Sequence, residues 1–192
     1  MIRRSDAYWR RQYELDPEAG IHRSYQLYLT WNLKARFIAE AVRMNCFSSQ
    51  AFYWIDAGYM RWPTPGNTIA LTPRLFSSDR VTFLVIYPFQ TGDVSAALLG
   101  SFHDRIAGNL FGGTGEAVTR WSSLYYQVFQ QFEQQGWFVG KDQNLMNFLC
   151  LQHPDACNLL RPVLEPGENP WFTLWKCLIG IRTCLPYRDY SA

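Results

Sequence analysis

The stretch Phe52 to Pro63, "FYWIDAGYMRWP", sets one carboxylate, Asp56, directly behind four large apolar or aromatic residues and two positions ahead of Gly58. With Ala51 those four form "AFYWI", an apolar run without polar alternation, which predicts a short strand covered on both faces of a sheet. The residues just upstream supply a helix. From Asn32 to Met44, "NLKARFIAEAVRM" places Leu33, Phe37, Ile38, Ala41 and Val42 on one stripe at helical spacing, and Asn32 has the side chain of an N-cap. A helix running into a buried strand predicts an α/β fold. In such sheets ligands bind outside the carboxyl ends of the strands, where Asp56 falls. Two readings of Asp56 stand at this point: a site carboxylate beside a glycine that lets a ligand approach, or an Asx cap of the turn.

The rest of the chain continues the alternation. "RVTFLVIYPF" (Arg80 to Phe89) is a second strand stopped by Pro88, and "RIAGNLF" (Arg105 to Phe111) a third, with a Pro- and Thr-containing loop from Thr64 to Ser78 between the first two. From Gly115 to Gln135, apolar residues from Ala117 to Phe132 recur at three- and four-residue steps. Thr114 caps this helix, Glu116 sits in its first turn and Gly136 stops it. A last helix opens near Asp142, a plausible N-cap, and ends at Pro154. The tail "WFTLWKCLIGIRTCLPYRDYSA" is apolar enough to pack on the domain, or to face a partner or membrane surface.

Composition narrows the function classes. With 192 residues and 48% hydrophobic content, the chain can bury a core as one domain. Eighteen Lys and Arg against 16 Asp and Glu leave a net charge of +2, no footprint for nucleic acid. Aromatics reach 17%, which serves core packing and also stacking on sugars or bases. The five cysteines contain no CxxC pair, so neither a zinc ribbon nor a disulfide framework is expected, and a reducing compartment is. No apolar run reaches the ~18 residues of a membrane span, and "MIRRSDAYWRR" lacks a signal-type apolar core. A cytoplasmic chain, in solution or against a membrane surface, is the expectation. His22, His103 and His153 show no metal-ligand spacing, "FGGTGE" lacks the Lys-Ser/Thr of a phosphate loop, and no G-x-S-x-G elbow occurs.

Three blocks carry a resemblance: "YLTWNLKARFIAEAVRMNCFSSQAFYWIDAGYMR", "RIAGNLFGGTGEAVTRW" and "GWFVGKDQNLMNFL". In that order they resemble the HtrL/YibB (WlaTC-like) family of predicted bacterial glycosyltransferases, over roughly Tyr28 to Pro162, and more broadly the later part of a GT-A domain. The resemblance implies a partial GT-A-like, Rossmann-like fold, a mixed sheet flanked by helices. It divides the chain into an N-terminal helix and loop extension (1–31), a GT-A-like catalytic half (32–165) and a packed C-terminal tail (166–192).

The activity implied is metal-dependent transfer of a sugar from a nucleotide-sugar donor to a cell-surface glycan such as lipopolysaccharide. Asp56 matches the first acid of the GT-A Asp-x-Asp motif and would hold Mn²⁺ or Mg²⁺, although Gly58 replaces the second acid. Asp142 and Gln143 match the acid-plus-amide pair at the mouth of the site, where a carboxylate can act as general base. Trp54, Gly58, Arg61, Gly112, Gly113 and Lys141 would line the substrate: Gly112 and Gly113 through backbone amides on sugar hydroxyls, Arg61 and Lys141 on diphosphate charge. The resemblance lacks the β-α-β region that grips the nucleotide in such families, so a fragment of low or no activity is expected. A non-catalytic carbohydrate-binding module, and a different α/β enzyme using "GGTG" as a ligand loop, are the alternatives.

Overall fold

The computed structural model of the chain describes residues 4–22, 24–59, 79–93, 95 and 104–187. The loop expected from Thr64 to Ser78, and Arg61 with it, lies outside the described residues. Five strands form one mixed sheet: β1 (Ala51–Ile55), β2 (Val81–Leu84), β3 (Leu110–Thr114), β4 (Cys157–Pro162) and β5 (Cys184–Pro186), in the order β1-β3-β2-β4-β5. β2 and β4 run parallel, and every other neighbouring pair is antiparallel. Among the described residues β1 is therefore an edge strand, half-buried from Ala51 to Trp54 and exposed at Ile55 rather than covered on both faces, whereas all four residues of β2 are buried. The third strand begins five residues later than "RIAGNLF" suggested. Of its two glycines, poor strand formers, Gly112 sits where β1 packs too closely for a side chain, as detailed below.

The helices described are α1 (Asp6–Leu15), a single turn α2 (Ala19–His22), α3 (Gln26–Met44), α4 (Gly115–Gln134), α5 (Asp142–Gln152) and the short α6 (Leu174–Leu178). α4 follows its sequence signals closely. Thr114 accepts the Ala117 amide as N-cap, Gly136 takes φ 70° just past the end, and Val118, Trp121, Tyr125, Phe129 and Phe132 are fully buried on one face. α3 starts six residues earlier than expected, and Asn32 is no cap. Its buried amide donates to the carbonyls of Tyr28, Val139 and Gly140 while its oxygen accepts the Tyr125 hydroxyl, which ties α3 to α4 and to the entry of α5. Phe37, expected to face inward, is 49% exposed.

Most of the aromatic excess goes into the core. Trp9, Tyr28, Phe83, Phe111, Trp121, Tyr125 and Phe129 form one cluster under α3 and α4, with Phe83, Phe111 and Trp121 in mutual ring contact. A smaller cluster on the other face joins Tyr59, Leu84 and Leu110 to Leu174 and Leu178 of α6. Part of the tail thus belongs to the same sheet and core.

The cysteine expectation is overturned. Cys150 pairs with Cys157 across the join of α5 and β4, Cys177 pairs with Cys184 across the join of α6 and β5, and Cys46 is free and exposed. Both bridges span seven residues, helix end to following strand, with Cα atoms 5.5 and 5.7 Å apart, inside the reach of a disulfide. Bridges of this kind persist in oxidising compartments, against the reducing setting that the spacing suggested. A thiol reagent is expected to find one reactive cysteine in the native protein and five after denaturation and reduction. Three or more native thiols would show that a bridge is missing.

Candidate functional site

The carboxyl end of β1 meets the segment that leads into β3. The Asp56 amide donates to the Asn109 carbonyl at 2.9 Å, and Ala107 donates to the Leu84 carbonyl at the matching end of β2. Residues 106–109 therefore cross the carboxyl ends of β1 and β2, and the start of α5 docks on them. Gln143 Nε2 donates to the Ile106 carbonyl at 2.7 Å, and Asn147 Oδ1 accepts the Ile106 amide. A Cβ on Gly108 would sit 3.0 Å from Gln143 Cγ and 3.7 Å from Asp142 Oδ2, so a bare backbone is what lets α5 come this close.

Into this junction α3 sends Lys34. Its Nζ lies 3.1 Å from Asp142 Oδ2, 3.3 Å from Asp56 Oδ1 and 2.9 Å from the Gly108 carbonyl, to which it donates. The lysine side chain is 5% exposed and that of Asp142 3%, while that of Asp56 is 37% exposed. The structure thus brings Asp56 and Asp142 together on one ammonium, with only Asp56 open to solvent. Burial works against the Lys34 charge, but Asp142 and Asp56 outweigh it and raise its pKa above the ordinary lysine value. Asp142 is pushed above the usual carboxylate range by its own burial, with Lys34 opposing and Asp56 adding to the shift.

Asp142 does not cap α5. Lys141 holds that position, and Asp142 Oδ1 accepts the neighbouring Gln143 amide while Oδ2 faces Lys34 outside hydrogen-bond geometry. Nor does it stand at the mouth of a cleft, because it and Gln143 are buried. Lys141 is also buried, its ammonium 2.8 Å from Asp104 and 2.9 Å from Glu18, so its charge is taken up by two carboxylates of the chain itself and ties the start of α5 to the segment between α1 and α2. Gly112 and Gly113 lie within β3, Gly112 paired with Tyr53 on one side and Thr82 on the other, not in an open loop. Gly58 is exposed, with nothing within 4 Å of where a Cβ would stand.

Trp54 does join the site. Its indole Nε1 donates to Asp56 Oδ1 at 2.6 Å, and its ring stacks on Phe37, centroids 6.1 Å apart at 14°. Lys34 and Phe37 stand one turn apart on α3 and so flank Trp54 together. Lys34 was not singled out by sequence, and Phe37 was named only as part of the helical stripe. The available signal was a lysine on the same helical face as Ile38, four residues on, in a stretch otherwise read as amphipathic.

A divalent ion, as the resemblance implies at Asp56, finds a poor fit in these residues. Among the described residues no three His, Cys, Asp or Glu side chains converge, and the place between the two carboxylates is filled by the Lys34 ammonium.

The comparisons with known proteins agree with the sequence blocks. Protein HtrL of Escherichia coli (strain K12) is 24% identical over 155 residues, 78% of this chain and 52% of that protein. The chain thus spans about half the length of this curated relative. No solved structure matches the chain. The sequence profile of a family described as "Bacterial protein of unknown function (HtrL_YibB)" matches residues 4–180. By that match, which runs through every element from α1 to α6, the chain belongs to the HtrL_YibB family.

Proposed function

We propose that this chain is a sugar-transferring domain of GT-A type, in which Asp56 is the carboxylate that meets the substrate. The observation that supports this most is the grouping of a solvent-facing carboxylate, a buried ammonium and a stacked aromatic pair at the carboxyl end of β1. Carboxylate oxygens accept hydrogen bonds from sugar hydroxyls, and the flat rings of Phe37 and Trp54 suit the CH face of a pyranose. In the transfer, the acceptor hydroxyl oxygen bonds to the anomeric carbon of a nucleotide-sugar donor as the bond from that carbon to the diphosphate oxygen breaks. The hydroxyl proton passes to a carboxylate, and Asp56 is the one placed to take or steer it. Asp142 and Gln143 act behind it, holding Lys34 and the 106–108 segment in place. A glycan of the cell surface is the acceptor class that this reading carries.

The test is release of nucleoside diphosphate from a panel of UDP- and GDP-hexoses with neutral oligosaccharide acceptors, using the 192-residue chain. Asp56→Asn should lower release by about 10²-fold or more, the range for losing a positioned acid or base. Phe37→Ala should weaken acceptor binding roughly tenfold, the worth of one aromatic contact, with little change in thermal midpoint. Unchanged release in Asp56→Asn would end the reading.

One observation favours a second reading, a carbohydrate-binding module without turnover: of the two carboxylates, Asp142 is buried out of reach of a substrate. Saturable binding of neutral glycans, abolished by Phe37→Ala, with no release from any donor, would select that reading instead.

A further inference from the structure

The trio of Lys34, Asp56 and Asp142 has the shape of an occupied cation site. A divalent ion shared by two carboxylates takes one oxygen from each, with carbonyl oxygens completing its shell. Here one oxygen from each carboxylate and the Gly108 carbonyl surround a single point, and that point is Lys34 Nζ, at 3.3, 3.1 and 2.9 Å. One of the three N–H groups of the ammonium donates to the Gly108 carbonyl, and the two carboxylates meet its charge at ion-pair distance. The lysine side chain is buried in the junction, 5% exposed. A second cation between the same oxygens would meet this ammonium at contact distance, and the low-polarity surroundings would magnify the repulsion.

We propose that Lys34 is the resident cation of this site, a tethered charge that takes the bridging position between Asp56 and Asp142. Its ammonium compensates the two carboxylates, fixes the outward one beside the Phe37–Trp54 stack, and makes that arrangement independent of metal supply. Lys34 is a positioning residue, acting through Asp56. What the arrangement serves rests on the sugar-transfer reading, but its composition does not, and the two are tested separately.

Mn²⁺ alone is the probe, followed by electron paramagnetic resonance of the free ion and by thermal melting. Wild-type protein is expected to show no Asp56-dependent Mn²⁺ binding up to millimolar ion, with the same midpoint in chelator and in Mn²⁺. Lys34→Gln, which empties the bridging position, is expected to gain a site: Mn²⁺ should raise its midpoint by mass action, and Asp56→Asn added to it should remove the gain. Sub-millimolar Mn²⁺ binding by the wild type that Asp56→Asn abolishes would overturn the proposal. So would a folded Lys34→Gln protein indifferent to Mn²⁺, because the oxygens would then be no cation site. If Lys34→Gln does not fold, the comparison of wild type with Asp56→Asn decides. Failure to release nucleoside diphosphate from any donor bears on the sugar-transfer reading and leaves these ion measurements intact.

Discussion

Lys34→Met is expected to destabilise the protein by about 3 to 5 kcal/mol, the usual cost of removing one partner from a buried ion pair. For a chain of this size that corresponds to a fall in thermal midpoint of roughly 10 °C or more. The reason is asymmetric burial. Asp56 can turn to water through its exposed side, but Asp142 is almost wholly enclosed, and among the described residues the cation that its Oδ2 meets is the Lys34 ammonium. Methionine keeps the apolar stem and removes only the ammonium, so the measured loss reports charge rather than packing. Asp142 would answer by taking up a proton, since burial already pushes its pKa up and Lys34 opposes that shift more strongly than the Gln143 amide does. Adding Asp142→Asn to Lys34→Met removes the stranded charge and keeps the acceptor for the Gln143 amide. The double variant should therefore be more stable than Lys34→Met alone, a coupling that a double-mutant cycle by urea denaturation measures directly. A single-variant loss under about 1 kcal/mol, or a double variant that costs the plain sum, would mean that the trio is no energetic unit.

The same residues show what was legible in the sequence. α4 could be read almost to the residue because its signals are local: a Thr cap, a stripe at helical spacing and a terminal glycine. Asp56 could be placed because a strand and its exit are also local, and the structure puts it at the carboxyl end of β1 as expected. Lys34 could not. A lysine in an amphipathic helix ordinarily projects into water, and what buries this one is an aspartate 108 positions later, together with the carbonyl of Gly108. Asn32 failed as a cap for the same reason, its amide being claimed by carbonyls of Val139 and Gly140. The disulfides escaped because motif spacings describe metal knuckles and catalytic pairs, whereas these bridges join the end of a helix to the strand after it. In each case the missing information was which distant element packs at that spot, and in each the resemblance between blocks gave their order but not their contacts.

Gly112→Ala is the second change expected to have a large effect, and its target is the strand that carries the site. An alanine Cβ there would lie 2.1 Å from the Phe52 carbonyl oxygen, 2.6 Å from Tyr53 Cδ1 and 2.8 Å from Tyr53 Cα. Two of these three atoms are backbone, so no rotamer change relieves the clash, and the strands themselves must part. β1 is the strand that gives way, because among the described residues β3 is its one partner in the sheet, whereas β3 is also paired to β2. Its departure takes Trp54 and Asp56 from Lys34 and Phe37, so stability and site are lost together. Overpacking alone costs about 1 to 3 kcal/mol; with backbone as the obstacle, a loss near 4 kcal/mol is expected, at the upper end for single substitutions. Two neighbouring glycines provide the scale. Gly113→Ala meets its nearest atom, the Arg80 carbonyl oxygen, at 3.0 Å and should cost less, while Gly58→Ala meets nothing within 4 Å and should stay within about 0.5 kcal/mol of wild type. Hydrogen exchange locates the damage: amides 51–55 should lose protection in Gly112→Ala while those of α4 keep it. A Gly112→Ala protein that melts with the wild type and keeps β1 protected would mean that the two strands are not paired in this register.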